Sequence, residues 1–133
     1  MEIRGRPISR GIASGEVLVS STPLSFLGGV DPKTGIVLDR ESNAFGRCVK
    51  EKVLVFPFGK GSTVGSYVML QLSKNGVAPA AIVNVRAETI IAVGAIISKI
   101  PMIDCLESDP LTILKDGMVV EVDGSSGTLK YSL

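Results

Sequence analysis

The spacing of hydrophobic residues predicts strands and turns in the first part of the chain. Up to Asp39, short runs of Val, Ile and Leu stand between glycines and prolines, as in EIRGRPIS, GEVLVSS and GIVLD. Runs bounded in this way by turn-forming residues are typical of β-strands. The next segment, residues 40–50, is polar and has no clear period. It is interpreted as a connection that crosses the surface.

After Glu51 the pattern changes, and strands are predicted to alternate with helices. KVLVFPF is a continuous apolar run, which is typical of a strand covered on both faces. Beyond it, Val64, Val68 and Leu72 recur at helical spacing, with Tyr67 on the same face. These segments predict a strand, a glycine-rich loop and a helix, in that order.

Capping and turn residues indicate where the helices begin and end. Ser62 or Thr63 can cap the first helix, and Gly76 stands where this helix would stop. A second unit follows, with AAIVNV as a buried strand and AETIIAVGAIISK as a helix that ends before Pro101. MIDC then forms a third short strand. Strands and helices that alternate at these lengths indicate parallel pairing with right-handed crossovers.

The end of the chain returns to a strand pattern. In DGMVVEVDGSSGTLKYSL, Val120 and Val122 alternate with Glu121 and Asp123 before a glycine-containing turn, which predicts a hairpin. The predicted fold class is therefore α/β: a small parallel sheet with helices packed on it, plus an antiparallel β layer built from the first and last thirds of the chain. With 133 residues, the chain is expected to form one domain over residues 1–133.

Composition and charge exclude several classes of protein. The chain is 45% hydrophobic and 20% charged, which argues against disorder. A membrane span needs about 18 consecutive apolar residues, and the uncharged runs here are far shorter. The first residues, MEIRGRPISRG, lack the apolar stretch of a secretion signal, so a cytoplasmic location is expected. A net charge of +1 with mixed signs does not indicate a nucleic-acid partner.

The residue types present also limit the chemistry. The chain has no histidine, and its only cysteines, Cys48 and Cys105, have neither the spacing of metal ligands nor that of a disulfide framework. No metal or cofactor is therefore expected in this chain, and both thiols are expected to be reduced. Catalysis would have to use hydroxyl, carboxylate, lysine or arginine groups, or groups supplied by another protein.

The segment VFPFGKGSTVGSY is the strongest candidate for a functional site. It departs from the nucleotide-binding loop pattern, because Gly61 separates Lys60 from Ser62. Binding of another anion stays open, since that needs only free amides and the positive end of a helix dipole. A reactive Ser62 with small neighbours Gly61 and Thr63 is a second interpretation. A third is an ordinary turn in which Ser62 caps the helix.

A helix terminus alone cannot make Ser62 a base. Its effect is about 0.3–1 kcal/mol, at best about 2, and one pKa unit corresponds to about 1.4 kcal/mol. The dipole therefore moves the pKa of a hydroxyl by only about one unit. Lys60 is the only charged neighbour along the chain that could assist. A reactive serine here would need groups from elsewhere.

Other polar residues have simpler interpretations. In GGVDPKTG, Asp31 and Lys33 could serve a site, but a turn is favoured. Arg86 and Glu88, at the start of the second helix, are interpreted as a solvated or partner-facing pair. Arg10 is notable only for its small neighbours.

Four segments together resemble the small subunits of the aconitase X family: RGIASGEVLVSSTPLSFLGGVDPKTG, KVLVFPFGKGSTVGSYVMLQL, PAAIVNVRAETIIAVGAIISKIPMID and DGMVVEVDG. The resemblance covers nearly the whole chain, and FPFGKGST and RAETIIAVGAI are its most specific parts. It implies a swivelling β/β/α domain that acts as a lid over a larger subunit carrying a [4Fe-4S] cluster. One departure is RESNAFGRC, where many relatives have a His-Pro pair.

The resemblance also implies a reaction and a site residue. Ser62 carries over as the proton acceptor in the dehydration of (R)-5-phosphomevalonate, a phosphorylated hydroxy acid, to trans-anhydromevalonate 5-phosphate in an archaeal route to isoprenoids. We further expect Lys60 and the amides of Gly61 and Thr63 to bind a substrate carboxylate or phosphate. Two alternatives stay open: a subunit of a cis-3-hydroxyproline dehydratase, and a non-catalytic anion-binding or docking module.

Overall fold

The computed structural model describes residues 1–61 and 63–132 of the chain. In this part the strands are β1 (Glu2–Arg4), β2 (Arg6–Ser9), β3 (Ile12–Val19), β4 (Val53–Phe56), β5 (Ala81–Asn84), β6 (Met102–Asp104), β7 (Val119–Asp123) and β8 (Thr128–Tyr131). The helices are α1 (Val64–Lys74), α2 (Thr89–Ile97) and α3 (Pro110–Ile113).

The centre of the sheet is parallel. Strand β4 pairs in parallel with β3 on one side and with β5 on the other, and β5 pairs in parallel with β6. Every residue of β4 and β5 is buried, as their continuous apolar runs predict. The helices α1 and α2 connect β4 to β5 and β5 to β6. The predicted parallel pairing is confirmed.

The antiparallel part uses both ends of the chain, and the strand order is β1-β8-β7-β3-β4-β5-β6-β2. Strands β1 and β2 stand at opposite ends of this order, yet only Gly5 separates them along the chain. The sheet must therefore curve back on itself. Gly5 lies at the junction, where its N–H donates to the carbonyl of Gly127 at 2.7 Å. A Cβ at Gly5 would come within 2.4 Å of the Asp104 carbonyl oxygen, so only glycine fits there.

Two hydrophobic cores result from this arrangement. One lies inside the curved sheet and includes Val55, Val83 and Val122; the other lies between the parallel strands and the helices and includes Leu54 and Ile82. Alternate residues of one strand thus serve different cores. This is the β/β/α layering expected for the fold class, which is confirmed.

Two details of the prediction are wrong. Segment GIVLD forms no strand; Ile36 and Val37 make only isolated bridges to Cys48 and Val30. Its residues alternate between exposed and buried, but turns on both sides keep it from extending a ladder.

The exposed face of α1 also differs from the expectation. Val64 and Tyr67 are 45% and 64% exposed. Along this helix the buried side is formed by Gly65, Val68, Met69 and Leu72. The reason is the close approach of α2, because a Cβ on Gly94 of α2 would lie only 3.1 Å from the Ser66 Cα.

This close helix contact makes a prediction about stability. Gly94→Ala is expected to lower the free energy of unfolding by about 1–2 kcal/mol, since overpacking outweighs the better helix propensity. Its Cβ would also lie 2.5 Å from the Met69 sulfur, which is fully buried. The matched variant is Gly65→Ala, whose Cβ would have ordinary contacts of 3.7 Å or more. That change should be neutral or stabilising by about 0.5 kcal/mol in urea unfolding; equal effects of both changes would contradict the packing argument.

A candidate active site at the carboxyl ends of the parallel strands

The glycine segment lies where the parallel strands end. The carboxyl ends of β3, β4, β5 and β6 share one edge of the sheet, and residues 57–63 connect β4 to α1 at that edge. In sheets of this type, ligands bind outside the carboxyl ends of the strands. The fold therefore places this loop where an α/β protein builds a site.

Backbone hydrogen bonds hold the loop on both sides. The N–H of Lys60 donates to the carbonyl of Leu24 at 2.9 Å, and the N–H of Leu24 donates to the carbonyl of Phe58 at 3.3 Å. On the other side, the carbonyl of Pro57 accepts from the N–H groups of Val85 and Arg86 at 3.0 and 3.2 Å. The loop is thus fixed between the segments that follow β3 and β5.

Gly59 is the point of closest packing in the loop. A Cβ at this position would lie 2.0 Å from Ile91 Cγ1 and 2.9 Å from Glu88 Oε1. Both residues belong to the start of α2. Only glycine therefore lets the loop lie against the first turn of the second helix.

Gly61 is required for two reasons. Its φ of +100° is a conformation that side-chain-bearing residues rarely adopt. A Cβ would also come within 2.5 Å of the Ser25 Oγ. The hydroxyl of Ser25 donates to the Leu27 carbonyl at 3.0 Å and is therefore held beside the loop. The glycine lets the chain turn beneath this hydroxyl and enter α1.

The first turns of α1 and α2 differ in their electrostatics. The Glu88 carboxylate accepts from the N–H groups of Ile90 and Ile91 at 3.0 and 2.6 Å, so a negative charge already sits at the start of α2. In α1, the residue before the helix is Thr63, which has αR geometry and no side-chain capping bond, and the first turn has no acidic residue. Of the two residues predicted to cap this helix, Thr63 makes no capping bond and Ser62 lies outside the described residues. The positive end of α1 faces no acidic side chain of its own first turn.

Two cations stand near this edge. Lys60 and Arg86 are exposed, and neither makes an ion pair among residues 1–61 and 63–132. Arg86 is exposed, as expected for a solvated or partner-facing residue, whereas the Glu88 carboxylate caps α2. The net effect is a loop region with positive character, which favours an anionic ligand.

A groove lies directly beside the loop, between the starts of the two helices. Its volume is about 340 Å³. It is lined by Thr63, Ser66, Tyr67, Thr89, Ile90 and Val93. Four of these side chains carry hydroxyl groups, so the groove offers hydrogen-bond donors and acceptors to a small polar molecule.

A buried carboxylate, paired with a half-exposed arginine, holds the segment that leads into α2. The Asp104 side chain, 0% exposed, accepts from Arg6 Nε at 2.9 Å, from Arg6 Nη2 at 2.6 Å and from the Ala87 N–H at 2.7 Å. Burial acts to raise the pKa of Asp104, but the hydrogen bonds from Arg6 and Ala87 outweigh it and hold this pKa below the usual range. Because Ala87 lies between Arg86 and Glu88, its hydrogen bond to Asp104 also fixes the position of these two neighbours.

Asp104→Asn is expected to lower the free energy of unfolding by about 2–3 kcal/mol at pH 7, because charge-assisted hydrogen bonds to a buried group are lost. The folded pKa of Asp104 is depressed, so its contribution is present above the unfolded value of about 3.9 and is lost as the pH falls through the folded value. The difference between the two proteins in urea unfolding should therefore shrink below about pH 4.

The control for this prediction is Glu16→Gln, which removes an ion pair with Lys52 whose Glu16 side chain is 54% exposed. It should change stability much less, since exposed pairs contribute little. A constant difference between wild type and Asp104→Asn from pH 7 to pH 3 would contradict a role for the ionised carboxylate.

The structure places the predicted site residues as follows. Lys60, Gly61 and Thr63 are consecutive described positions in the exposed loop before α1. Ser62 lies outside the described residues. Asp31 forms a turn by accepting from the Lys33 N–H at 2.9 Å.

Two of the other candidates lie away from the loop. The Asp31 turn is near the end of α1, where Asn75 Nδ2 donates to the carbonyl of Pro32 at 2.7 Å. Arg10 follows β2, which runs antiparallel to β6, and so stands at the opposite edge of the sheet. The turn interpretation of GGVDPKTG holds.

Several residues that shape the loop were not assigned this role from the sequence. They are Ser25, Glu88, Ile91, Arg6 and Asp104. A glutamate two residues before the apolar part of AETIIAVGAI was a signal for the α2 cap, because an acidic residue at a helix start is favourable. The contacts of Ser25 and Asp104 carry no such signal.

Metal ligands do not gather in the part of the chain that is described. No group of three or more His, Cys, Asp or Glu side chains there is arranged to hold a metal ion. Cys48 and Cys105 are both free thiols. These residues do not fit an iron–sulfur cluster. Among the described residues, no helix has the length and apolar character needed to cross a membrane.

Comparison with known proteins identifies the class. The sequence model of the family described as "Aconitase X swivel domain" matches residues 2–131. The chain belongs to this family, so the resemblance seen in the sequence is confirmed.

Relatives and a solved structure extend this result. The chain is 60% identical over 130 residues to the phosphomevalonate dehydratase small subunit of Methanosarcina acetivorans, covering 98% of this chain and 90% of that protein. It is 57% identical to the protein of the same name from Thermococcus kodakarensis, covering 98% and 96%. The crystal structure of Thermococcus kodakaraensis aconitase X in its holo-form matches with a TM-score of 0.94 and 55% identity, over 100% of this chain and 99% of that one.

Proposed function

We propose that this chain is the small subunit of a phosphomevalonate dehydratase. The reaction is the removal of water from (R)-5-phosphomevalonate to give trans-anhydromevalonate 5-phosphate. The observation that carries the proposal is the 60% identity, over 98% of the chain, to a small subunit of that name. The archaeal source of the relatives fits an archaeal route to isoprenoids.

The glycine loop is the part of this chain that serves the reaction. Ser62 acts as the proton acceptor, and Lys60 with the amides of Gly61 and Thr63 binds an anionic group of the substrate. Support comes from the exposed Lys60, the positive φ of Gly61 and the absence of an acidic residue in the first turn of α1. A carboxylate or phosphate is stabilised in such surroundings by the helix dipole and by the cation.

The site is completed by a larger subunit that carries an iron–sulfur cluster. The described residues offer no ligand set for a cluster, and a helix dipole is too weak to activate a serine at neutral pH. The groups that activate Ser62 therefore come from the larger subunit. When the small subunit closes over the substrate, water is excluded and the electrostatic interactions within the site become stronger.

The experiment is reconstitution with the larger subunit from the same genome. The mixture is supplied separately with (R)-5-phosphomevalonate and with cis-3-hydroxyproline, and products are followed by NMR. We expect dehydration of phosphomevalonate by the mixture and none by either subunit alone. Dehydration of cis-3-hydroxyproline instead would replace the substrate assignment. Turnover by the small chain alone would contradict the shared site, and turnover by the larger subunit alone would leave this chain as a docking module.

A further inference from the structure

A second cavity lies at the edge of the sheet opposite the glycine loop. Its volume is about 550 Å³, and it is lined by Ile8, Ser9, Arg10, Gly11, Ile96 and Lys99. Strand β2 runs antiparallel to β6, so the end of β2 lies at this edge. Helix α2 begins at the edge that carries the glycine loop and therefore ends at the opposite edge. The volume is in the range of cavities that hold small molecules.

Ser9 is a nearly buried residue in the lining of this cavity. The residue is only 4% exposed. It pairs with Met102 across the β2–β6 ladder, where the register shifts between Pro7 and Ser9. A serine hydroxyl can both donate a hydrogen bond to a ligand oxygen and accept one.

Two cations border the same cavity. Arg10 and Lys99 are exposed, and in the part of the chain described here neither forms an ion pair. Lys99 has a φ of +57° at the end of α2, a conformation that favours glycine. The helix dipole favours one cation at this position, but Arg10 belongs to a different element. The lining contains no acidic side chain that would neutralise either charge.

The walls between these polar groups are hydrophobic. Ile96 is 53% exposed, and Ile8 is partly buried against the helix-side core. A phosphate or carboxylate could contact Arg10, Lys99 and the Ser9 hydroxyl while a hydrocarbon chain covers the two isoleucines. We infer that this cavity is a second binding site for a small soluble amphipathic anion, consisting of a phosphate or carboxylate with a short hydrocarbon chain. The site is separate from the glycine loop.

The test uses alkyl phosphates and the full ¹⁵N-labelled chain. Hexyl phosphate, butyl phosphate, inorganic phosphate and hexanol are titrated, and amide shifts of residues 8–11 and 96–99 are followed by NMR. We expect hexyl phosphate to bind up to about tenfold more tightly than butyl phosphate, because each buried methylene favours binding by a factor of about three to four. Inorganic phosphate and hexanol should each bind much more weakly. Equal affinity for the two alkyl phosphates would overturn the proposal.

Variants separate the groups involved. Lys99→Gly and Arg10→Gln should each weaken hexyl phosphate binding about fivefold or more, as expected for loss of a charge-assisted contact. Glycine suits the positive φ of residue 99, so this variant keeps its fold. Ser9→Ala should weaken binding by a smaller factor. The matched control is Lys50→Gln, an exposed lysine that is not part of the lining, and it should leave binding unchanged.

Two further experiments test whether hexyl phosphate binds at the glycine loop instead, or whether the cavity binds a lipid surface. Lys60→Gln is expected to leave hexyl phosphate binding intact; loss of binding in that variant would place the ligand at the glycine loop and overturn the second site. Co-sedimentation with vesicles containing phosphatidic acid, without binding of monomeric hexyl phosphate, would indicate a lipid surface instead and would also overturn it.

Discussion

Ser62→Ala is expected to lower the kcat of phosphomevalonate dehydration by about 10²–10⁴-fold when the variant is combined with the larger subunit. That range is typical for the loss of a positioned proton-transfer group. Alanine keeps most of the side-chain volume but has no oxygen to accept a proton. KM should change only a few-fold, because substrate binding is assigned to Lys60 and to the amides of Gly61 and Thr63.

The matched control for this experiment is Ser73→Ala. Ser73 lies near the other end of α1, where its hydroxyl donates to the Ser98 carbonyl at 3.4 Å. It is a serine of the same helix, far from the loop, and its loss should leave kcat unchanged. Undiminished turnover by Ser62→Ala would remove the catalytic role of this residue, while a role of the loop in binding would survive.

Gly61→Ala is expected to lower kcat/KM by about 10–100-fold, since small displacements of positioned groups have effects of this size. The change forces a side chain into a φ of +100° and brings a Cβ to 2.5 Å from Ser25 Oγ. The loop must shift, and the residue that follows Gly61 is the proposed proton acceptor. The melting temperature should fall much less than activity, because Gly61 itself is exposed and lies outside both cores.

A double-mutant cycle with Ser25→Ala separates the two effects of Gly61→Ala. Removing the Ser25 hydroxyl takes away the 2.5 Å contact but leaves the backbone strain, and the remaining Ser25 Cβ would be 3.3 Å away. The double variant should therefore recover part of the lost activity, giving a favourable coupling between the two positions. Strictly additive losses would show that only the backbone conformation matters.

Much of the fold could be predicted because it depends on local patterns. The apolar runs that became β4 and β5 require burial on both faces, whatever their neighbours are. The alternation of Val120 and Val122 with Glu121 and Asp123 gives the correct inward face of β7, where both valines are nearly or fully buried. Gly76 likewise has a positive φ just after α1. These features depend only on nearby residues.

The errors arise where a distant segment decides the outcome. Val64 and Tyr67 stay exposed, and Tyr67 lines the groove between α1 and α2. The packing of Gly94 against Ser66 fixes how α2 lies on this helix. The pattern of α1 itself allowed either face, because it contains apolar residues on both. Segment GIVLD has strand-forming residues but no ladder partner beyond isolated bridges.

The residues of the candidate site also fall into two groups: those that one segment predicts and those that only distant contacts bring there. Lys60, Gly61 and Thr63 are neighbours in the chain, so one glycine-rich segment was enough to predict them together. Ser25, Glu88 and Asp104 are separated from that segment by many positions, and each reaches it or its surroundings through a contact. Their identity alone does not indicate that they hold the loop.

The sequence by itself determined most of the elements, the α/β class, the family and the candidate segment for a site, since these follow from apolar periodicity, glycine placement and the order of characteristic residues. Only the tertiary structure decided that Gly5 closes the sheet and that Asp104 fixes the segment before α2 through Arg6 and Ala87. The physical reason is that burial, close contact and electrostatic fields depend on distances in space, and those distances exist only once remote parts of the chain are packed together.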